Sequence, residues 1–372
     1  MSSSVAIVNC KNYDPASVYP AVHQAVALLG GIDNFVKPES KVLVKPNLLM
    51  TIEPEKGVTT HPEVVRAVIK LLKEINCKVI VGDGPSVWGN QIQQYDQLCQ
   101  RTGIKKVCQE EAVELVDFNK RRWRGKFPLT AWLDNCDFFV SVPKFKTHNL
   151  TLLTGAIKNL FGLVSGTFKT ELHKNYFVDQ AFAGMLVDIL KEARPALTVV
   201  DGIIAMEGDG PATSGKLRQT GLLLASADCV ALDSILAIIM GIQPFDVLTT
   251  KEAAARRLGE ADINSINILG EPLEKAIGKP FILPTASAIK KVPLLIVNIF
   301  KNLLKFYPCV EHDKCIRCAT CIKACPNNVI SMKNNRISFD YRRCIACFCC
   351  QEVCPAAAIK TKKSWVAKIA GL

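Results

Sequence analysis

Eight cysteines near the C-terminus repeat one spacing twice: Cys315, Cys318, Cys321 and Cys325 precede Pro326, and Cys344, Cys347, Cys350 and Cys354 precede Pro355. Each run reads C-x2-C-x2-C-x3-C-P, the spacing that wraps a chain around cubane iron–sulfur clusters. The first three cysteines of a run fall on one tight loop, close enough to grip three irons of one cube. The fourth is expected to start a helix that carries it away to the cluster of the other run. This assigns Cys315, Cys318, Cys321 and Cys354 to one 4Fe–4S cluster, and Cys344, Cys347, Cys350 and Cys325 to the other. The two sets interlock, so neither cluster assembles properly alone, and a segment built this way moves electrons one at a time.

Other uses of cysteine fit less well. Structural zinc pairs two C-x2-C knuckles across a longer gap and needs no trailing proline. Disulfides require an oxidising compartment, and the opening Met1-Ser2-Ser3-Ser4-Val5-Ala6 lacks the basic and apolar regions of a secretory leader. Two matched copies 29 residues apart exclude coincidence. Residues 309–358 resemble the bacterial two-cluster ferredoxin family over the whole of that small fold. Asn327-Asn328-Val329-Ile330 and Ala356-Ala357-Ala358-Ile359 follow the two prolines at the same offset, as an internal duplication requires. Cys309 and Cys349 lie outside the ligand pattern and read as a buried or idle thiol and a small apolar filler.

At 372 residues the chain is too long for that module alone, so roughly 300 residues form one or two further domains. The expected division is an α/β domain over 1–287, an amphipathic linker helix over 288–308, the ferredoxin domain over 309–358 and a basic tail over 359–372. Scattered free thiols beside oxygen-sensitive clusters point to a reducing cytoplasm, plausible for an anaerobe.

The formal net charge is +12, nearer to about +8 once two dianionic clusters are counted. No basic stripe interleaved with aromatics stands out and aromatics are only 7%, which disfavours nucleic acid. From 309 to 372 there are eleven Lys and Arg against four Asp and Glu. That balance suits an acidic electron donor such as a ferredoxin or flavodoxin. No run is long and apolar enough to span a bilayer. The stretch from Val292 to Phe306, flanked by lysines, reads as a packing helix in preference to a peripheral membrane contact.

In the large N-terminal part, apolar β-branched runs alternate with helical stretches. Val5–Val8, Lys41–Val44, Val79–Val81, Phe138–Val142, Thr198–Val200 and Leu222–Leu224 read as buried strands. Tyr19–Leu29, Pro62–Ile75, Gln93–Thr102, Ala181–Ala193 and Cys229–Met240 read as helices. The alternation predicts an α/β fold with a largely parallel sheet, in which ligand-contacting residues gather after strand C-termini. Those loops carry the unusual residues. Thr59 and Thr60 are candidate caps for the helix that Pro62 opens.

Along VKPN, TTHP, PKFKTH, IKNLFG, DGIIAMEGDGP and SADCVALD, about residues 40–245, the chain resembles the domain-of-unknown-function 362 family. Several members of that family also end in a two-cluster ferredoxin module. The resemblance implies the fold and carries no chemistry.

Lys45, His61, Lys144, Lys146, His148 and Lys158 are the candidate catalytic residues. Asn47, Gly82, Asp83, Gly84, Asn159, His173, Glu207 and Gly208 are the candidate cofactor-binding residues. Lysines, histidines and glycine-flanked amides converging at strand ends suit an anionic small molecule such as a phosphate or carboxylate. No nucleotide fingerprint, nucleophile elbow or zinc pair is present, and a metal site of Asp83, His148, Glu207 and Asp209 has no supporting local spacing. The expected function is a cytoplasmic iron–sulfur oxidoreductase that passes low-potential electrons to a substrate or second cofactor, flavin or tetrapyrrole-like. The alternative is a non-enzymatic electron carrier or assembly factor that reduces a partner's metal centre.

Overall fold

The computed structural model describes residues 3–84, 91–166, 168–287 and 306–364. In chain order, the strands of the N-terminal part are β1 (Ser4–Asn9), β2 (Lys41–Pro46), β3 (Lys78–Asp83), β4 (Glu114–Asp117), β5 (Arg121–Arg124), β6 (Phe127–Thr130), β7 (Phe138–Val142), β8 (Lys144–His148), β9 (Leu152–Thr154), β10 (Leu197–Gly208), β11 (Gly215–Ser226) and β12 (Asn267–Gly270). A ten-stranded sheet runs β12-β1-β11-β10-β7-β2-β3-β4, with β8 joined to β10 and β9 to β8; β5 and β6 form a separate hairpin. The sheet is mostly parallel. β11 is the exception within the main run, antiparallel to both β1 and β10.

All six expected strands lie inside these elements. The five expected helices are Pro15–Leu28, Pro62–Glu74, Gln91–Arg101, Asp179–Glu192 and Cys229–Met240. Successive side chains of a strand point to opposite faces, so a sheet covered on both sides reads as an unbroken apolar run. In β2, Val42 and Val44 pack on one side with Val22, Val64 and Val68, while Leu43 packs on the other with Leu186 and Leu236. The result is a three-layer sandwich.

The cap of helix Pro62–Glu74 differs from expectation. His61 is its N-cap, with Nδ1 accepting from Glu63 N. Thr60 is committed elsewhere: its hydroxyl donates to Val142 O at 2.6 Å and accepts from Asn47 N at 2.8 Å, tying three loops together.

At the end of β7 the chain passes through Pro143 and restarts as β8, which takes over pairing with β10. This handover sets Lys144 directly opposite Asp201 and Lys146 opposite Met206. The lysines therefore sit in strands instead of the loops expected for them.

The C-terminal module contains β13 (Phe306–Val310), β14 (Ile330–Lys333), β15 (Arg336–Phe339) and β16 (Ile359–Lys363). β13 pairs antiparallel with β16 from Phe306↔Lys363 to Val310↔Ile359, so the module is wider than 309–358. Residues 306–308 are strand and not linker helix, and the first part of the expected basic tail is the closing strand. The rest of the expected linker helix, with most of the stretch from Val292, lies outside the described residues, as do the last eight residues. The module packs on the sandwich: Asn149 Nδ2 donates to Gln351 Oε1 at 2.6 Å, and Thr213 Oγ1 to Cys354 O at 2.7 Å. Among the described residues no helix is long and apolar enough to cross a membrane.

Candidate functional site

The cysteines gather as two sets of four. One pocket is lined by Cys315, Cys318, Cys321 and Cys354, and another by Cys325, Cys344, Cys347 and Cys350. Each set takes its fourth sulfur from the other run. Among the described residues no three metal-ligating side chains close on a single-ion site; the sulfurs surround a void, as a cubane requires. The residues fit 4Fe–4S clusters in a further respect. Val329 N donates to Cys325 Sγ at 3.4 Å and Ala358 N to Cys354 Sγ at 3.3 Å, the N–H contacts that tune such clusters.

The duplication extends to the backbone. Arg317 and Ala346, Ala319 and Phe348, and Asn328 and Ala357 all have φ between 50° and 59°, at positions equivalent in the two runs. These left-handed residues turn the chain inward around each void. The fourth cysteine does not start a helix. Short helices Thr320–Lys323 and Cys349–Glu352 instead hold the third cysteine of each run and end before the fourth, because the three-residue gap is spent on that single turn. Cys309 stands on β13 opposite Lys360. Cys318 is exposed, whereas Cys325, Cys347 and Cys350 are buried.

Against this module lies a buried array of lysines. Lys45, at the end of β2, pairs with Asp83 of β3 at 2.8 Å and also donates to Pro46 O and Asn159 Oδ1. Asp83 accepts Leu48 N at 2.7 Å and Gly84 N at 2.8 Å. The close approach of this pair to the backbone depends on Gly162, where a Cβ would stand 2.5 Å from Lys45 Nζ and 2.4 Å from Asp83 Oδ1.

A second network centres on Asp201. It accepts from Lys144 at 2.8 Å, from the Tyr13 hydroxyl at 2.8 Å and from His61 N at 2.9 Å. Tyr13 also stacks on the His61 ring at 3.7 Å. Between the networks, Lys146 donates to Asn47 Oδ1 and Val58 O, each at 2.7 Å.

Burial dominates the electrostatics, since removing an ammonium from water favours its neutral form. It holds Lys45 and Lys144 below the usual lysine range despite their carboxylate partners. Lys146 is pushed down to about 7 by burial, with Lys144 and Lys158 adding to the effect. Lys169 is also pushed down to about 7 by burial. Lys158 falls by burial while Glu352 opposes the fall. Burial brings His61 down to about 4 and His173 to about 3, leaving both rings neutral near pH 7.

Glu352 links the lysines to the cysteines. It lies two residues from both Cys350 and Cys354, and its carboxyl is raised by burial, with Lys158 and Lys146 pulling the other way. His148 Nδ1 accepts Leu150 N at 3.1 Å, which places the ring proton on Nε2, 3.3 Å from Glu352 Oε1.

The expected site residues thus divide. Lys45, Asn47, Asp83, Lys146 and Asn159 come together, as do His61 and Lys144, while His148 and Lys158 face Glu352. His173 stacks on Phe182 at 4.7 Å, near Lys158 and Lys169. Glu207 and Gly208 are not part of this array: Glu207 pairs with Arg218 at 2.9 Å, and Gly208 O accepts Thr147 Oγ1. Gly82 has a packing role, because a Cβ there would meet Phe118 and Val116, and Gly84 meets Gly162 O in the same way. Asp209 bonds Thr285, so Asp83, His148, Glu207 and Asp209 do not converge.

Tyr13, Lys169, Glu352 and the role of Asp201 escaped the sequence reading. Asp201 follows a predicted strand and was open to inference; the others depend on packing. A basic run was also passed over. Trp123 is 62% exposed on hairpin β5–β6, flanked by Arg121, Arg122 and Arg124.

Residues 42–237 match the family described as "Domain of unknown function (DUF362)", and residues 307–355 match the 4Fe-4S dicluster domain. A thylakoid-associated protein of Synechocystis sp. is 34% identical over 266 residues, which covers 70% of this chain and 80% of that protein. The structure of the lactate racemase apoprotein from Thermoanaerobacterium thermosaccharolyticum aligns with a TM-score of 0.40 at 14% identity, over 64% of this chain and 57% of that one. By its sandwich, its motifs and its C-terminal cysteine module, the chain belongs to the DUF362 family and carries a 4Fe–4S dicluster ferredoxin domain.

Proposed function

We propose that the protein is an iron–sulfur oxidoreductase that delivers low-potential electrons to an acceptor held at the buried lysines. Bound clusters supply one-electron transfer at negative potential. The observation that carries the reading is Glu352: a residue between two cluster-spaced cysteines faces Lys146, Lys158 and His148. Donor and acceptor ends are distinct. Cys318 is exposed beside Ile316, which is 65% exposed, and the surrounding module is basic, so an acidic donor docks there. At the other end Lys146 and Lys158 stabilise negative charge on the acceptor, and His148 carries a proton on Nε2 toward Glu352. Phe161 and Phe182 beside Lys158 suit an acceptor with a π surface and an anionic handle, the class of flavins and carboxylated tetrapyrroles.

Two measurements test the reading. Reduction by a small acidic ferredoxin is expected to slow as salt rises, and extraction of anaerobically purified protein to release a stoichiometric organic cofactor. A salt-independent rate with a blank extract overturns it in favour of a carrier or assembly factor.

A second reading rests on the exposed Trp123 among three arginines and on the thylakoid association named for the relative. Tryptophan with basic side chains suits an anionic membrane surface. Co-sedimentation with anionic liposomes, lost in Trp123→Ser, is the expected result.

A further inference from the structure

Lys169 and His173 stand one helical turn apart on helix Phe168–Asn175. Both are more than nine-tenths buried, with 5% and 6% of their surface exposed. Among the described residues Lys169 Nζ and His173 Nδ1 have no hydrogen-bond partner. Buried polar groups in folded proteins are otherwise almost always paired, so two orphans on one turn mark a place where a partner belongs. Lys158 faces them, held over Phe161 at 4.8 Å and Phe182 at 5.8 Å from the ring centroids. The same Phe182 ring stacks on His173.

The charge around this spot does not balance. Lys45 and Lys144 each have a carboxylate at 2.8 Å. Lys146, Lys158 and Lys169 have none within ion-pair distance among the described residues; Glu352 acts on Lys146 and Lys158, and Asp83, already paired with Lys45, acts on Lys146 and Lys169. Lys45, Lys146, Lys158 and Lys169 share two carboxylates, Asp83 and Glu352, so once a bound anion returns these lysines to their charged form two positive charges are left over in a water-poor interior. A monoanion would leave part of it uncompensated.

We infer that Lys158, Lys169 and His173 form a subsite for a compact dianionic group, a phosphate monoester or a dicarboxylate. Lys169 and Lys158 supply charge-assisted donors, His173 a neutral ring donor, and Phe161 and Phe182 the apolar wall. This rests on the reading of the lysine array as the acceptor site and says which handle the acceptor carries.

The test uses cluster-loaded, full-length protein under anaerobic conditions, titrated calorimetrically with inorganic phosphate, succinate and acetate at constant ionic strength. One-site binding of phosphate or succinate is expected, at least about tenfold tighter than acetate; the stronger of the two identifies the handle. Lys169→Met should weaken that binding about tenfold or more and Lys169→Arg should restore most of it. The cluster EPR signals report that each variant is folded. Equal binding of all three anions, or unchanged phosphate and succinate binding in Lys169→Met, overturns the inference. Dianion binding in a protein whose reduced clusters never pass electrons on would sink the electron-delivery reading and leave the subsite standing.

Discussion

Asn149 and Gln351, 202 positions apart in sequence, share a buried hydrogen bond of 2.6 Å. One directly follows β8 of the sandwich and the other sits between cysteines of the ferredoxin module, so this contact helps hold the two parts in register. The neighbouring pair, His148 and Glu352, continues the seam at 3.3 Å.

Gln351→Ala should leave the Asn149 amide buried without its partner. The expected cost is about 1–3 kcal/mol, read as a lowered anaerobic thermal midpoint. Asn149→Ala combined with Gln351→Ala should cost less than the two singles together. Full additivity would mean that the contact does not couple the residues.

Gly162→Ala should disrupt the Lys45–Asp83 pair, since the new Cβ falls within 2.5 Å of both partners. Both are fully buried, and breaking a buried ion pair costs about 3–5 kcal/mol. Chemical denaturation measures this, and a loss under 1 kcal/mol, roughly the surface-pair range, would show that the pair can move aside freely.

Cys325 lines the cavity of Cys344, Cys347 and Cys350, although its own run lines the other. Cys325→Ala should therefore damage the cluster held by the second run and lower iron content by up to about half. Iron analysis with EPR decides this. Two intact cubes would disprove the crossed arrangement.

Lys169 is pushed down to about 7 from its ordinary 10.5 by burial. The lowered folded value means that the unfolded chain holds the extra proton between pH 7 and 10.5, so this lysine's penalty is full below pH 7 and fades as pH rises. Lys169→Met removes the penalty. The variant should be more stable than wild type at pH 7, with its advantage shrinking by up to about 1.4 kcal/mol per pH unit above that. Thermal unfolding at pH 7 and pH 9 measures the trend, and a constant difference would contradict it.

Much of the fold was legible because strands covered on both faces must be apolar throughout, as in Val42-Leu43-Val44. The cap assignment fared worse. His61 displaced Thr59 and Thr60 as cap because Thr60 is held by Asn47 and Val142, partners distant in sequence. Glu207 looked like a site residue from its glycine-rich surroundings, yet its partner Arg218 lies across the β10–β11 ladder.

The cysteine spacing alone determined the cluster chemistry, because three thiolates around one cube must come from one short loop. Strand periodicity likewise determined the sandwich, through burial on both faces. Tertiary structure decided the rest. Tyr13, Lys169 and Glu352 gain meaning only where packing strips water from them, and the desolvation that shifts a lysine or strands a carboxyl belongs to the assembled interior, not to any local run of residues.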